Sequence, residues 1–255
     1  MRHNLIDILV ALIFIVIGCG GGGESSKNIK TANQISKIDF EGNLSDTYGY
    51  TTIQWNPGTP ATVTYPAGHT GTSARTSHNT DDGGDDLEIL YPDTWPASGE
   101  RYTSMWFKYE ANYAGLCTNG IWNVKWLWSA GTTAHNELIF QSYSGSSIGL
   151  AWQLSGGGTG WDGGATITKY GSASYRFGDW MHVEIYQKLS SGTTRMNADG
   201  VWWVKINGAT VISGNNVVTG VPGRTRSPAL KASCSCPAGQ GWWQVDDYDV
   251  WDGIP

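Results

Sequence analysis

The sequence predicts an all-β fold, a two-sheet antiparallel β-sandwich, and three observations carry that expectation. First, short segments rich in Val, Ile, Thr, Tyr, Phe and Trp are separated by clusters of Gly, Pro, Asn, Asp and Ser, the spacing of strands and turns. Second, residues 181–189 alternate. Val183, Ile185 and Leu189 would face one way and His182, Glu184, Tyr186 and Lys188 the other, the period of a half-buried strand. Third, Asn207-Gly208 sits between the β-formers 201–206 and 209–212 and predicts a tight hairpin, because a type I′ turn needs positive φ at both central residues. No stretch shows helical periodicity, and no fixed-period repeat is visible.

Residues 1–19 read as a targeting segment. Arg2 and His3 give a polar start, and 8–17 is an apolar run of the length of a signal-peptide core, too short to span a bilayer. Val16-Ile17-Gly18-Cys19 resembles the bacterial lipobox, which implies lipidation of Cys19 and a domain held at a membrane through that anchor alone. Residues 20–34 are Gly- and Ser-rich with almost no apolar content and read as a flexible tether. Gly20 follows the cysteine, with no Asp there, which favours the outer membrane or cell surface as the address. The folded domain then spans 35–255.

Within that domain, strands are expected at 37–42, 50–55, 61–65, 87–90, 102–110, 121–128, 137–143, 148–154 and 165–170, with a turn plus a strand at 68–77. The 178–212 hairpin region and a last strand in 241–251 follow. Turns at Asn56-Pro57-Gly58, an acidic loop at 78–86 and a Gly-rich loop at 155–164 separate them.

The chain has 255 residues, enough for a real core. Charged residues are 15% and there are 14 tryptophans. Low charge with many Trp, Tyr, Thr, Ser, Asn and Gly suits an exported sandwich that faces sugars, since flat rings pack on sugar C–H faces while amides and hydroxyls bond sugar hydroxyls. The net charge of −6 argues against nucleic acid as a partner.

Several pieces together resemble the concanavalin A-like lectin/glucanase jelly roll. They are Asp39-Phe40-Glu41, the GTSA of 71–74, and Gly178-Asp179-Trp180 leading to His182-Val183-Glu184. Asp199-Gly200-Val201-Trp202 before the 204–208 strand-turn, Val245-Asp246-Asp247, and the closing Asp252-Gly253-Ile254-Pro255 complete the set. Within that fold the chain is most similar to jelly-roll polysaccharide lyases of the alginate and glucuronan type, through the Trp-His strand, the Asp-Gly hairpin and the 119–126 segment containing Lys125. It departs from them in two places. Lys125 is followed by Trp-Leu-Trp where the lyases carry Lys-Leu-Pro-Gly, and 135–140 contains no arginine.

For β-elimination from a uronic acid, a site must neutralise the carboxylate, remove a proton and protonate the leaving oxygen. A concave sheet lined by Lys125, His182, Tyr186 and Lys188, with Gln141 and Gln153 from neighbouring strands, would supply these groups; the alternative is a merely solvated sheet face. A retaining glucanase needs two carboxylates about 5 Å apart, and no Glu-X-Asp-X-Glu strand is present. Asp39, Glu41, Asp246 and Asp247, from first and last strands, form a candidate structural calcium site of hard oxygen ligands. The acidic loop with Asp81, Asp82, Asp85 and Asp86 is a second candidate, against a solvated turn. Cys117, Cys234 and Cys236 remain for disulfide pairing in an oxidising compartment.

Trp161, Trp95 and Trp242, in loops or at strand edges, are the candidate sugar-stacking rings, while Trp126 and Trp203 alternate toward the core. The first expectation is therefore an exported, lipid-anchored carbohydrate-binding protein whose partner is a polysaccharide or glycan. The alternatives are a lyase acting on a uronate polymer and a structural or adhesion module.

Overall fold

The computed structural model describes residues 31–41, 51–53, 63–76, 88–90, 98–113, 124–130, 134–142, 147–156, 167–191, 197–217, 219, 229–232 and 241–255. These lie within one unit, Thr31–Pro255. They form fifteen strands: β1 Gln34–Ile38, β2 Thr51–Ile53, β3 Val63–Thr64, β4 Ala74–Thr76, β5 Glu88–Leu90, β6 Glu100–Tyr109, β7 Val124–Ala130, β8 Ala134–Ser142, β9 Ser147–Gly156, β10 Ile167–Ser174, β11 Met181–Lys188, β12 Gly200–Ile206, β13 Ala209–Val217, β14 Ala229–Ala232 and β15 Trp243–Trp251.

Two antiparallel sheets result. The eight-stranded sheet runs β13-β12-β11-β6-β15-β4-β3, with β1 also paired to β15. The seven-stranded sheet runs β10-β9-β8-β7-β14-β5-β2. First and last strands do pair, Lys37 opposite Asp249 and Ile38 opposite Tyr248. Strand β14, four residues of Ala-Leu-Lys-Ala, carries no sequence signal strong enough to announce it, yet it joins β7 to β5.

The hairpin of β12 and β13 is the predicted one, with Asn207 at φ 50° and Gly208 at φ 79°, the conformation the Asn-Gly pair supplies without strain. Alternation in β11 also holds. Met181, Val183 and Ile185 are buried and join Met105, Phe107 and Tyr109 of β6 in the core between the sheets. From the other sheet Trp126, Ile148 and Leu150 enter the same core, Trp126 lying 5.6 Å from the ring of Phe107. Each such side chain contributes about 1.5–3 kcal/mol by leaving water.

Two details differ from expectation. Trp203 is not a core residue; its neighbour Trp202 is, at 2% exposure. Either ring satisfies period two, but Trp202 shares its phase with Val204 and Ile206 whereas Trp203 shares its phase with Lys205, so the apolar set wins the interior. In β15 the core positions are Val245, Tyr248 and Val250, a spacing that strict alternation forbids. A bulge between Asp246 and Asp249 resets the phase, with Asp247 in the left-handed region at φ 46°.

Candidate functional site

Because Met105, Phe107 and Tyr109 turn inward, Tyr102, Ser104, Trp106 and Lys108 of β6 take the outer face of the eight-stranded sheet. His182, Glu184, Tyr186 and Lys188 of β11 take that same face, as do Trp203 and Lys205 of β12. The register aligns them into rows. Glu184 stands between Ser104 and Lys205, His182 opposite Trp106, Tyr186 between Tyr102 and Trp203, and Lys188 opposite Glu100. On the other flank Gln244 stands between Lys108 and Arg75. From Arg75 in β4 to Lys205 in β12 the face crosses five strands, about 19 Å.

Aromatic rings and cations alternate across it. The Arg75 guanidinium lies 5.2 Å from the Trp242 ring centre, and the Lys108 ammonium lies 5.9 Å from Trp242 and 5.5 Å from Trp180. His69 stacks on Trp106 with ring centres 3.5 Å apart and lies edge-on to Trp180 at 6.2 Å. Trp106 leans on His182 at 5.0 Å. Beyond a polar row, Tyr186 stacks on Trp203 at 5.6 Å, Tyr102 meets the same indole at 6.1 Å, and the Lys205 ammonium sits 4.6 Å above it. Cation–aromatic contacts of this kind hold long side chains in place, and Trp106, Trp180, Trp203 and Trp242 each keep partial exposure.

The polar row is hydrogen-bonded. Ser104 Oγ and His182 Nε2 are 2.7 Å apart. Tyr102 donates to Glu184 Oε1 at 2.7 Å, and Glu184 Oε2 lies 4.0 Å from His182 Nδ1. Burial and the adjoining Glu184 carboxylate push the Tyr102 hydroxyl well above the usual phenol range. Burial, with Glu100, does the same to Tyr186, which donates to Glu100 Oε2 at 3.1 Å. Both tyrosines are therefore proton donors at neutral pH.

At one corner of this face the loop 66–73 is clamped by acids. Asp246 is fully buried; its Oδ2 accepts the amides of His69 at 2.8 Å and Thr70 at 3.1 Å, and its Oδ1 accepts that of Asp247 at 2.9 Å. Glu41 Oε1 accepts the Thr72 amide at 3.1 Å, Asp247 Oδ2 accepts the Thr70 hydroxyl at 3.0 Å, and Asp39 Oδ1 accepts the Glu41 amide at 3.3 Å. The clamp fixes the loop that delivers His69 onto Trp106. Burial raises the Asp246 carboxyl to about 6, the neighbouring Asp247 adding to the shift. Among the described residues no three His, Cys, Asp or Glu side chains gather in a form that would hold a metal ion. Each of the four carboxylates considered for calcium accepts a backbone or hydroxyl donor of this corner.

The structure divides the expected lyase groove between the sheets. His182, Tyr186 and Lys188 lie on β11 of the eight-stranded sheet. Lys125 is on β7, Gln141 on β8 and Gln153 on β9 of the seven-stranded sheet. His182 points away from the core, and Lys125 belongs to the other sheet. Which strands share a sheet depends on non-local pairing, which alternation within a strand does not report. In the seven-stranded sheet Lys125 stands opposite Ile139 and Lys231, Gln141 opposite Gly149, and Gln153 opposite Glu137 and Thr168. Trp242 meets Arg75 and Lys108 on the outer face of the eight-stranded sheet. Trp95, Trp161, Cys19, the acidic loop at 78–86 and the remaining cysteines lie outside the described residues. Sequence reasoning passed over His69, Trp106 and Trp180. The phase of β6 implied that Trp106 shares a face with Lys108, but nothing local places β6 beside β11.

No protein-family model matches the chain, and no curated protein matches it in sequence. Its fold is that of the β-sandwich jelly rolls. Solved structures similar to it include alginate lyase vAL-1 from Chlorella virus, at TM-score 0.60 and 11% identity over 86% of this chain and 99% of that one. The endo-β-1,4-glucuronan lyase from the fungus Trichoderma reesei is similar at TM-score 0.57 and 11% identity, over 86% of this chain and 95% of that one. The binding domain of Paraclostridial Mosquitocidal Protein 1 is similar at TM-score 0.55 and 12% identity, over 88% of this chain and 49% of that one.

Proposed function

We propose that this protein is an exported, lipid-anchored carbohydrate-binding jelly roll whose glycan lies along the outer face of the eight-stranded sheet. The observation that carries the reading is the series of partly exposed tryptophans Trp242, Trp180, Trp106 and Trp203, interleaved with Arg75, Lys108, His182, Glu184 and Lys205. Flat rings set between hydrogen-bonding groups recognise sugars, because each ring packs on C–H faces while the polar groups take the hydroxyls. Tryptophan-fluorescence titration against a panel of neutral and acidic oligosaccharides tests it. Binding weakened by loss of Trp106 or Trp180 supports it. The anchor rests on the Val16-Ile17-Gly18-Cys19 segment, with the bacterial cell envelope, outer membrane or cell surface, as the address. Metabolic labelling with a fatty acid, lost in Cys19→Ala, is its test.

A second reading, a polysaccharide lyase acting on a uronate polymer, is favoured by the likeness in fold to a glucuronan lyase and an alginate lyase. In this chain it would use one sheet face and not both: Lys125, Gln141 and Gln153 on the seven-stranded sheet, or His182 and Tyr186 on the other. Ultraviolet absorbance of an unsaturated product from alginate or glucuronan decides it. Its absence with every uronate tested, alongside measurable glycan binding, removes the lyase.

A further inference from the structure

The polar row in the middle of the aromatic face holds a serine, a histidine and a glutamate in series. We propose that Ser104, His182 and Glu184 form an acyl-transfer site that removes ester-linked acyl groups from the ligand held on this face. Only the identity of the ligand rests on the glycan reading; the nucleophile is argued from the geometry alone.

Ser104 Oγ lies 2.7 Å from His182 Nε2, the distance at which an imidazole takes a hydroxyl proton. For Nε2 to accept, the ring proton must sit on Nδ1, and Nδ1 faces Glu184 Oε2 at 4.0 Å. The carboxylate therefore favours the competent tautomer and stabilises the imidazolium that forms. Glu184 is itself held, since its other oxygen accepts the Tyr102 hydroxyl at 2.7 Å. The His182 side chain keeps 31% exposure and that of Glu184 16%, so the pair is reachable by a ligand yet partly withdrawn from water.

Three further features fix the ring. Trp106 leans on the imidazole at 5.0 Å. The His182 amide donates to Asn207 Oδ1 at 2.9 Å, tying this end of β11 to the hairpin turn. On the other side of β6 the ladder is broken by the bulge between Asp246 and Asp249, opposite Trp106 and Ser104. Bulges beside a strand re-aim its side chains and recur next to active sites. None of these groups is needed for the core, which lies on the other face of the sheet.

The reaction balances with groups on the page and water. Ser104 Oγ forms a bond to the acyl carbon as its proton passes to His182 Nε2. The C–O bond to the sugar breaks, and the departing alkoxide takes that proton, leaving an acyl-serine and a free hydroxyl. Water then attacks the acyl carbon, giving its proton to His182. The Ser104–acyl bond breaks, Ser104 recovers the proton, and a carboxylic acid is released. Ser104 and His182 are the catalytic residues; Glu184 is a positioning residue.

The test treats the purified protein with a fluorophosphonate probe, locates the adduct by peptide mass mapping, and measures hydrolysis of 4-nitrophenyl acetate. The expected adduct is on Ser104, and hydrolysis falls by about 100-fold or more in Ser104→Ala and His182→Ala. In Asn215→Ala, a substitution at an exposed position on β13, it is unchanged. Glu184→Gln should move the acid limb of the pH–rate profile, which a merely structural glutamate would leave in place. Ser104→Cys fills nearly the same space and should pass reactivity at this position to iodoacetamide, so a poorly folded alanine variant does not leave the question open. An adduct elsewhere, a Ser104→Ala rate equal to wild type, or a wild-type protein that neither labels nor hydrolyses would overturn the proposal. Glycan binding retained by Ser104→Ala while hydrolysis is lost separates this site from the binding reading. Hydrolysis without binding to any glycan would leave the nucleophile standing and remove its proposed ligand.

Discussion

His69 lies face to face with Trp106, ring centres 3.5 Å apart and planes 11° from parallel. The two come from distant parts of the chain, and the contact exists because acidic side chains hold the loop 66–73 against β15. A stacked aromatic pair contributes about 0.5–1.5 kcal/mol beyond its buried area. His69→Ala should therefore lower stability by about 1 kcal/mol in urea unfolding and loosen the Trp106 ring, weakening any ligand bound there. A variant with unchanged midpoint and unchanged binding would show that the stack plays no part in the site.

The clamp itself titrates. Burial raises the Asp246 carboxyl from its ordinary 3.8 to about 6, so the folded state holds the proton more tightly than the unfolded chain. The stabilisation from this group is present when it is protonated, at low pH, and is lost as pH rises from about 4 through 6. Asp246→Asn removes the titration but offers only one acceptor oxygen to three amides, a loss of about 1–3 kcal/mol. Melting curves at pH 4.5 and pH 7 should show the advantage of wild type over Asp246→Asn shrinking toward pH 7. A constant gap would mean the carboxyl is not shifted.

Gly71 and Gly208 both have positive φ, at 51° and 79°, but only Gly71 is hemmed in. A Cβ there would fall within 1.7 Å of Glu41 Oε1, whereas at Gly208 nothing lies within 4 Å. Gly208→Ala should cost about 1 kcal/mol of backbone strain, and Gly71→Ala more, because the Glu41 clamp must also move. Equal losses in denaturant titration would contradict the tight approach.

Because Asp39, Glu41, Asp246 and Asp247 already accept hydrogen bonds from this corner, a chelator should leave the melting midpoint where it is. A ligand that binds only the native state would raise that midpoint. A rise on adding calcium, reversed by chelation, would show that the corner rearranges around the ion.

Much of this fold is readable from the chain. The phase of 181–189 and the Asn-Gly hairpin follow from period two and turn chemistry, while the pairing of first and last strands is what the resemblance to the jelly roll implies. Lys125 and His182 show where that stops. They belong to different sheets, because sheet membership is set by contacts far apart in sequence. Trp202 and Trp203 show a second limit, as adjacent identical residues carry no label for which is inside until Lys205 and Ile206 are weighed. The His69–Trp106 stack depends on a bulge in β15 and a buried aspartate, neither of which announces itself in Val-Asp-Asp-Tyr.

The most direct test is a titration of wild-type protein, Trp106→Ala and Trp180→Ala with an oligosaccharide panel, read by intrinsic fluorescence and calorimetry. Wild type should bind at least one glycan, and each substitution should weaken it about tenfold, the 1.4 kcal/mol expected when one stacking ring is lost, with melting midpoints near wild type. Absence of binding to every glycan would contradict the account. So would binding that ignores both tryptophans and is abolished by Lys125→Ala on the opposite sheet.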